Sequence, residues 1–208
     1  MNRQLLRLGS ILTALTLSAA PAFAHHLMGG RTPATFGEGV LSGLGHPVIG
    51  LDHFAAVVAV GCLAAAHRAG PALVVSFVAA MMAGVVLHLQ GATVPAAEIL
   101  IALSVIALGA LMLRHRQMPW GAALVLFAMA GVIHGYGLGE SIYGAEPTPL
   151  YAYLLGLAVI QSAIALAAMS IARSIARGSA DLSPVRLVGA GIAGIGLAVL
   201  VQQLVPAA

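Results

Sequence analysis

The sequence predicts an all-α fold: a polytopic membrane protein of about six transmembrane helices after a cleaved signal peptide. Three observations predict it. The 208 residues are 61% hydrophobic and only 7% charged, where a soluble domain is about a quarter charged, and mean hydropathy is +1.03. Apolar residues gather into six runs, each with enough residues for a helix across a hydrocarbon core about 30 Å thick. Arginine falls on alternate connections between those runs, the pattern of positive-inside topology. In lipid every backbone N–H and C=O must be paired internally, which favours helices. The regular polar–apolar alternation of a membrane barrel is absent from the sequence.

Taken in order, residues 1–24 read as the signal peptide. Arg3 and Arg7 supply a basic start, Leu8 to Ala20 is an apolar run short for a span, and Ala22-Phe23-Ala24 is an A-x-A cleavage site. Residues 25–39 form an external, periplasmic segment that begins at His25 after cleavage. Residues 40–208 form the membrane domain, with spans predicted at Val40–Ala66, Pro71–Leu89, Ala96–Leu113, Pro119–Leu138, Leu150–Ala172 and Val185–Val205. Arg68 lies in the first connection, Arg114 and Arg116 in the third, and Arg173, Arg177 and Arg186 around the fifth. That places odd connections in the cytoplasm and both termini outside, in agreement with an export signal. The fourth connection, "GYGLGESIYGAEPTPL", then faces outward. Gly39/Gly43, Gly131/Gly135 and Gly135/Gly139 are small residues four apart, a spacing that lets membrane helices approach closely.

Several function classes fall away. Nine arginines with no lysine, against six acids, reflect scarcity of charge rather than a basic surface, and no basic run with interleaved aromatics suggests nucleic acid. The single Cys62 excludes an internal disulfide and a thiolate metal cluster. "GAGIAG", Gly189 to Gly194, satisfies G-x-G-x-x-G, but it sits in an apolar helix without the preceding strand a dinucleotide site requires; helix packing is its reading. The sequence has neither a phosphate-binding loop of the Walker type nor H-E-x-x-H, so the chain is not expected to be an enzyme and needs no prosthetic group.

The chemistry concentrates in "GLGHPVIGLDHFAAVVAVG", Gly43 to Gly61. A charged group at bilayer depth costs roughly 2.5–3.5 kcal/mol on insertion scales, so His46, Asp52 and His53 in an apolar run need a reason. On a regular helix His46 and His53 share a face but stand two turns, or ~10 Å, apart. Pro47 removes a backbone donor and Gly50 relaxes the chain. A kink there would gather His46, Asp52 and His53, and could bare carbonyls to an ion as broken transporter helices do. Alternatively, Asp52 orients a histidine from behind.

The predicted topology puts His88, His134 and Glu140 at the outer side with that cluster, and His25 and His26 outside the membrane. Only His67 and His115 fall at the inner edge, beside arginines, where an interfacial role suffices. Glu98 suits a helix start, and Gln161 and Ser162 suit either interhelical hydrogen bonding or lining. The gradient of histidines and acids resembles an outward-facing intake for a cation. Imidazole with carboxylate suits Ni²⁺, Co²⁺, Zn²⁺ or Cu²⁺ rather than Mg²⁺ or Ca²⁺. After cleavage, the α-amine and imidazole of His25, with His26, would form a second chelating group.

"HPVIGLDHFAAVVAVG", His46 to Gly61, resembles throughout the H-P-x-x-G-x-D-H-x₇-G signature of the HupE/UreJ nickel/cobalt transporters. A second stretch, "IHGYGLGES", Ile133 to Ser141, resembles their F-H-G-x-A-H-G-x-E signature. His134, Gly135 and Gly139 match; Leu138 stands at the second histidine, and Glu140 falls one residue early. The resemblance covers essentially the whole mature chain. It implies a secondary permease of the bacterial inner membrane, passing nickel or cobalt inward to metalloenzyme maturation or cobalamin synthesis, with homo-oligomers open. The metal-site residues expected are His46, Asp52, His53, His134, His88, Glu140, His25 and His26. Two other classes stay open: a b-type haem carrier using paired histidines, and a non-transporting metal sensor or chaperone subunit.

Overall fold

The computed structural model describes residues 31–114, 117–178 and 183–205. The expected signal peptide, His25, His26 and His115 lie outside the described residues. Seven α-helices are described: α1 (Phe36–Ile49), α2 (Leu51–Ala64), α3 (Gly70–Leu89), α4 (Ala97–Met112), α5 (Trp120–Gly139), α6 (Pro147–Gly178) and α7 (Ser183–Leu204), with a 3₁₀ turn at Glu140–Ile142. The protein is all-α and multi-pass. Four helices are long and apolar enough to cross a membrane, and α1 with α2 makes a fifth span if the bent pair counts as one. The third expected span, α4, has 16 residues, about 24 Å of helix, and falls short of that length.

The first expected span is not one helix. It breaks at Gly50 with a bend of 79° between α1 and α2. It also starts earlier than Val40, because Thr35 opens a capping box: its Oγ1 accepts from Glu38 N–H at 3.2 Å, and Glu38 Oε2 accepts from Thr35 N–H at 3.2 Å and Ala34 N–H at 2.7 Å. Two orphan donors at the helix start are thereby satisfied. α6 runs past Ala172 to Gly178. Ser170 and Ser174 donate to carbonyls one turn back, Leu166 and Ser170, at 2.7 and 3.0 Å, so their hydroxyls need no break in the helix. The predicted fourth connection is largely helical, since α5 and its 3₁₀ turn continue to Ile142.

Glycines set the helix pairs. Gly39 packs on Pro149 and Ala152, Gly43 on Tyr153, and Gly61 on Ala165 and Ala168, so α1 and α2 run alongside α6 in the same sense. Gly131 meets Phe77, Gly135 meets Met81 and Gly139 meets His88, which makes α3 and α5 parallel neighbours. Gly189 meets Gly109 and Met112, while Gly196 meets Ala102 and Ile106, so α4 and α7 are antiparallel. Gly189 therefore carries the packing role predicted for "GAGIAG"; Gly191 and Gly194 have nothing within 4 Å of a Cβ. Between these pairs lie Leu73, Phe77, Met81, Leu108 and Phe127, all fully buried.

Arg173 closes the end of α2 opposite the break. Its Nε donates to Ala65 O at 3.3 Å and its Nη2 to His67 O at 2.8 Å, the latter a carbonyl that also accepts from Gly70 N–H at 3.0 Å. His67 lies in this turn.

Candidate metal centre

The break at Gly50 builds the centre. Gly50 is extended, at φ −71° and ψ 99°, and serves as C-cap of α1 and N-cap of α2. Its N–H still reaches His46 O at 2.9 Å, and its carbonyl accepts from Phe54 N–H at 2.9 Å, so both helices keep their terminal bonds across the bend. The rings of His46 and His53 consequently lie 6.0 Å apart between centroids, tilted by 38°. A straight helix would hold them ~10 Å apart. A Cβ on Gly50 would stand 3.3 Å from both Asp52 Oδ1 and His53 Cδ2, so the absence of a side chain there makes room for the cluster.

His46, Asp52 and His53 are 5–6% exposed, and His134 on α5 is fully buried. His53 Nδ1 lies 2.8 Å from His134 Nδ1, with ring centroids 5.0 Å apart. Asp52 Oδ1 accepts from the backbone N–H of His53 at 2.8 Å and stands 3.9 Å from His53 Nδ1. It thus closes the first turn of α2, where a negative charge also suits the helix dipole. It does not hold the His53 ring by a direct hydrogen bond, since 3.9 Å is beyond that range.

Three residues that the sequence reading passed over complete the cluster. Ser104 Oγ, from α4, lies 2.8 Å from His134 Nε2. Ser141 Oγ, from the 3₁₀ turn, lies 3.0 Å from His46 Nδ1. Tyr153 Oη, from α6, lies 3.2 Å from Ser141 Oγ and donates to Leu138 O at 2.7 Å. Ser141 was within reach of the sequence: the register of "IHGYGLGES" sets Ser141, not Glu140, against the signature's acid. Ser104 and Tyr153 carry no such sequence signal.

The other expected ligands stand apart. Glu140 is exposed, at the start of the 3₁₀ turn. His88 packs edge-on against Tyr136 and Tyr143, at 4.6 and 5.7 Å between centroids, and its buried Nδ1 has no hydrogen-bond partner among the described residues. Tyr136 in turn ties the α3–α4 connection, donating to Ala92 O at 3.0 Å and accepting from Val94 N–H at 3.2 Å. Gln161 is fully buried and donates to Met81 Sδ, an interhelical bond between α6 and α3. Among the described residues, no three His, Cys, Asp or Glu side chains are placed to hold one ion. The arrangement offers close pairs rather than a closed cage.

A cavity of about 450 Å³ opens at the far end of α2, lined by Cys62, His67, Met118, Arg114, Arg173 and Arg177 among others. With three arginines and no acid in its wall among the described residues, it is the wrong sign for capturing a divalent cation. The histidine cluster remains the candidate centre.

Residues 13–199 match the family described as HupE / UreJ protein. Protein HupE of Rhizobium leguminosarum bv. viciae is 31% identical over 201 residues, covering 94% of this chain and all of that protein. No solved structure matches.

Proposed function

Since the chain belongs to the HupE/UreJ family, whose members are membrane transporters rather than enzymes, we propose that it imports a divalent transition-metal ion, nickel first and cobalt second. The family is associated with nickel uptake for hydrogenase and urease. The observation that carries the proposal is the Gly50 break, which brings two nearly buried imidazoles to 6.0 Å beside the Asp52 carboxylate. Neutral imidazole supplies nitrogen ligands that suit nickel and cobalt, and Asp52 offsets part of the ion's charge at depth. Two imidazoles, with water or a carboxylate oxygen, hold an ion loosely enough for it to leave, as conduction requires.

The route runs inward along α2. His88, with its unpartnered Nδ1, serves as an outer station; His46, Asp52 and His53 form the site, with His134 beside it. Glu140, and His25 and His26 at a cleaved N-terminus, gather ions outside the plasma membrane. Both termini lie on the outer face, as the arginine pattern suggests. The membrane potential favours entry by about 2.3 kcal/mol per elementary charge per 100 mV, doubled for a divalent ion. A haem reading fits less well, because His53 and His134 are hydrogen-bonded directly to each other at 2.8 Å, leaving no space between them for a porphyrin. Radioactive nickel flux into liposomes holding the purified chain tests the proposal; tight binding without flux would favour a sensor or chaperone subunit.

A further inference from the structure

Each hydroxyl around the histidine cluster has one proton to give, and that constrains which ring nitrogens carry hydrogen. Ser104 Oγ donates to Ile101 O at 2.7 Å. Its contact with His134 Nε2 at 2.8 Å is then satisfied only if Nε2–H donates to the serine oxygen. A neutral His134 has its lone pair on Nδ1, so the 2.8 Å contact between the two Nδ1 atoms requires His53 Nδ1–H to donate. A second proton on His134 would put a charge at a fully buried position among apolar helices, which is expensive.

The same count applies to His46. Tyr153 Oη gives its proton to Leu138 O at 2.7 Å. Ser141 Oγ gives its proton to Tyr153 Oη at 3.2 Å or to Leu138 O at 3.1 Å. With its proton on either of these oxygens, Ser141 is the acceptor at 3.0 Å from His46 Nδ1, and His46 Nδ1–H donates. Two chains of hydrogen bonds therefore run one way from the motif histidines to backbone carbonyls: His53 to His134 to Ser104 to Ile101, and His46 to Ser141 to Tyr153 and Leu138.

We infer that these two chains set both motif histidines as Nδ1–H tautomers, with Nε2 of His53 as the metal-facing lone pair, making Ser104, Ser141 and Tyr153 positioning residues and His134 a positioning residue rather than a ligand. The inference deepens the transport reading and rests on it for the metal, but the tautomers are properties of the metal-free protein. Metal-ligating histidines generally donate their second ring N–H to a fixed partner, which orients the ring and raises its basicity. In this protein the partner of His53 is a second imidazole, itself held by Ser104. His134 has no nitrogen to spare: one accepts from His53 and the other donates to Ser104.

The test is ¹⁵N NMR of the imidazole rings in the metal-free full chain, with resonances assigned by single histidine variants. His46 and His53 are expected as Nδ1–H and His134 as the opposite tautomer, Nε2–H. Ser104→Ala should scramble the His134 and His53 tautomers and weaken nickel binding, by at most the roughly ten- to hundredfold that losing a ligand's direct partner costs. Ser104→Thr, which keeps a hydroxyl able to bond the preceding turn, should restore both. His53 found as Nε2–H, or ring spectra unchanged by Ser104→Ala, would overturn the inference. A chain with the expected tautomers that neither binds nor moves nickel would overturn the transport reading and leave the two hydrogen-bond chains standing.

Discussion

At the residue scale the centre is a set of polar groups that apolar helices would reject unless each were used. His46, Asp52 and His53 stand in the wall of a bent span, and the sequence alone singled them out, because three such groups around Pro47 and Gly50 have no packing explanation. Asp52 is the group whose charge can be removed with least change of shape. Asp52→Asn keeps an oxygen for the His53 N–H, which it accepts at 2.8 Å, and is expected to lower uptake at least tenfold with normal expression, as read by initial rates of nickel entry. Uptake should also fall as external pH falls. A protonated imidazole has no lone pair, so binding belongs to the deprotonated ring and is lost on the acid side; a rate that rises with acid would contradict it. The placement of His88 between Tyr136 and Tyr143 was not legible, since ring contacts across three elements leave no periodic trace.

Element-scale behaviour turns on where glycine is needed. Gly135 meets the Met81 backbone with no room for a methyl group, whereas Gly194 in α7 has nothing within 4 Å. Gly135→Ala should destabilise the protein by about 1–3 kcal/mol through overpacking. Gly194→Ala should be neutral or stabilise by up to about 1 kcal/mol, since alanine is the better helix former. Thermal unfolding of the two variants in detergent separates these outcomes. Gly50→Ala crowds Asp52 and His53 at 3.3 Å, and should reduce metal affinity more than stability; titration with nickel beside a melting curve measures both. The bend itself was readable from Pro47 and Gly50 because both weaken the backbone ladder. The start of α1 was missed, because hydropathy marks where lipid begins and not where Thr35 and Glu38 cap a helix. The length of α6 was missed for the converse reason: its last turns are helical but polar.

For the whole molecule, the histidine cluster lies at one end of α2 and an arginine-lined cavity at the other. The chain's single cysteine sits in that cavity wall, so a membrane-impermeant maleimide should label Cys62 in inside-out vesicles and not in intact spheroplasts; the reverse pattern would invert the proposed topology. Composition and arginine spacing made the multi-pass fold legible, while the short α4 shows that an apolar run of sufficient length need not yield a helix of the same length. Whether the bent first span carries the ion is decided by radioactive nickel and cobalt flux into liposomes containing the purified chain, with His46→Ala and Asp52→Asn alongside. Time-dependent nickel entry is expected, abolished by His46→Ala and cut at least tenfold by Asp52→Asn; equal flux through all three proteins would show that the ion does not pass by this site.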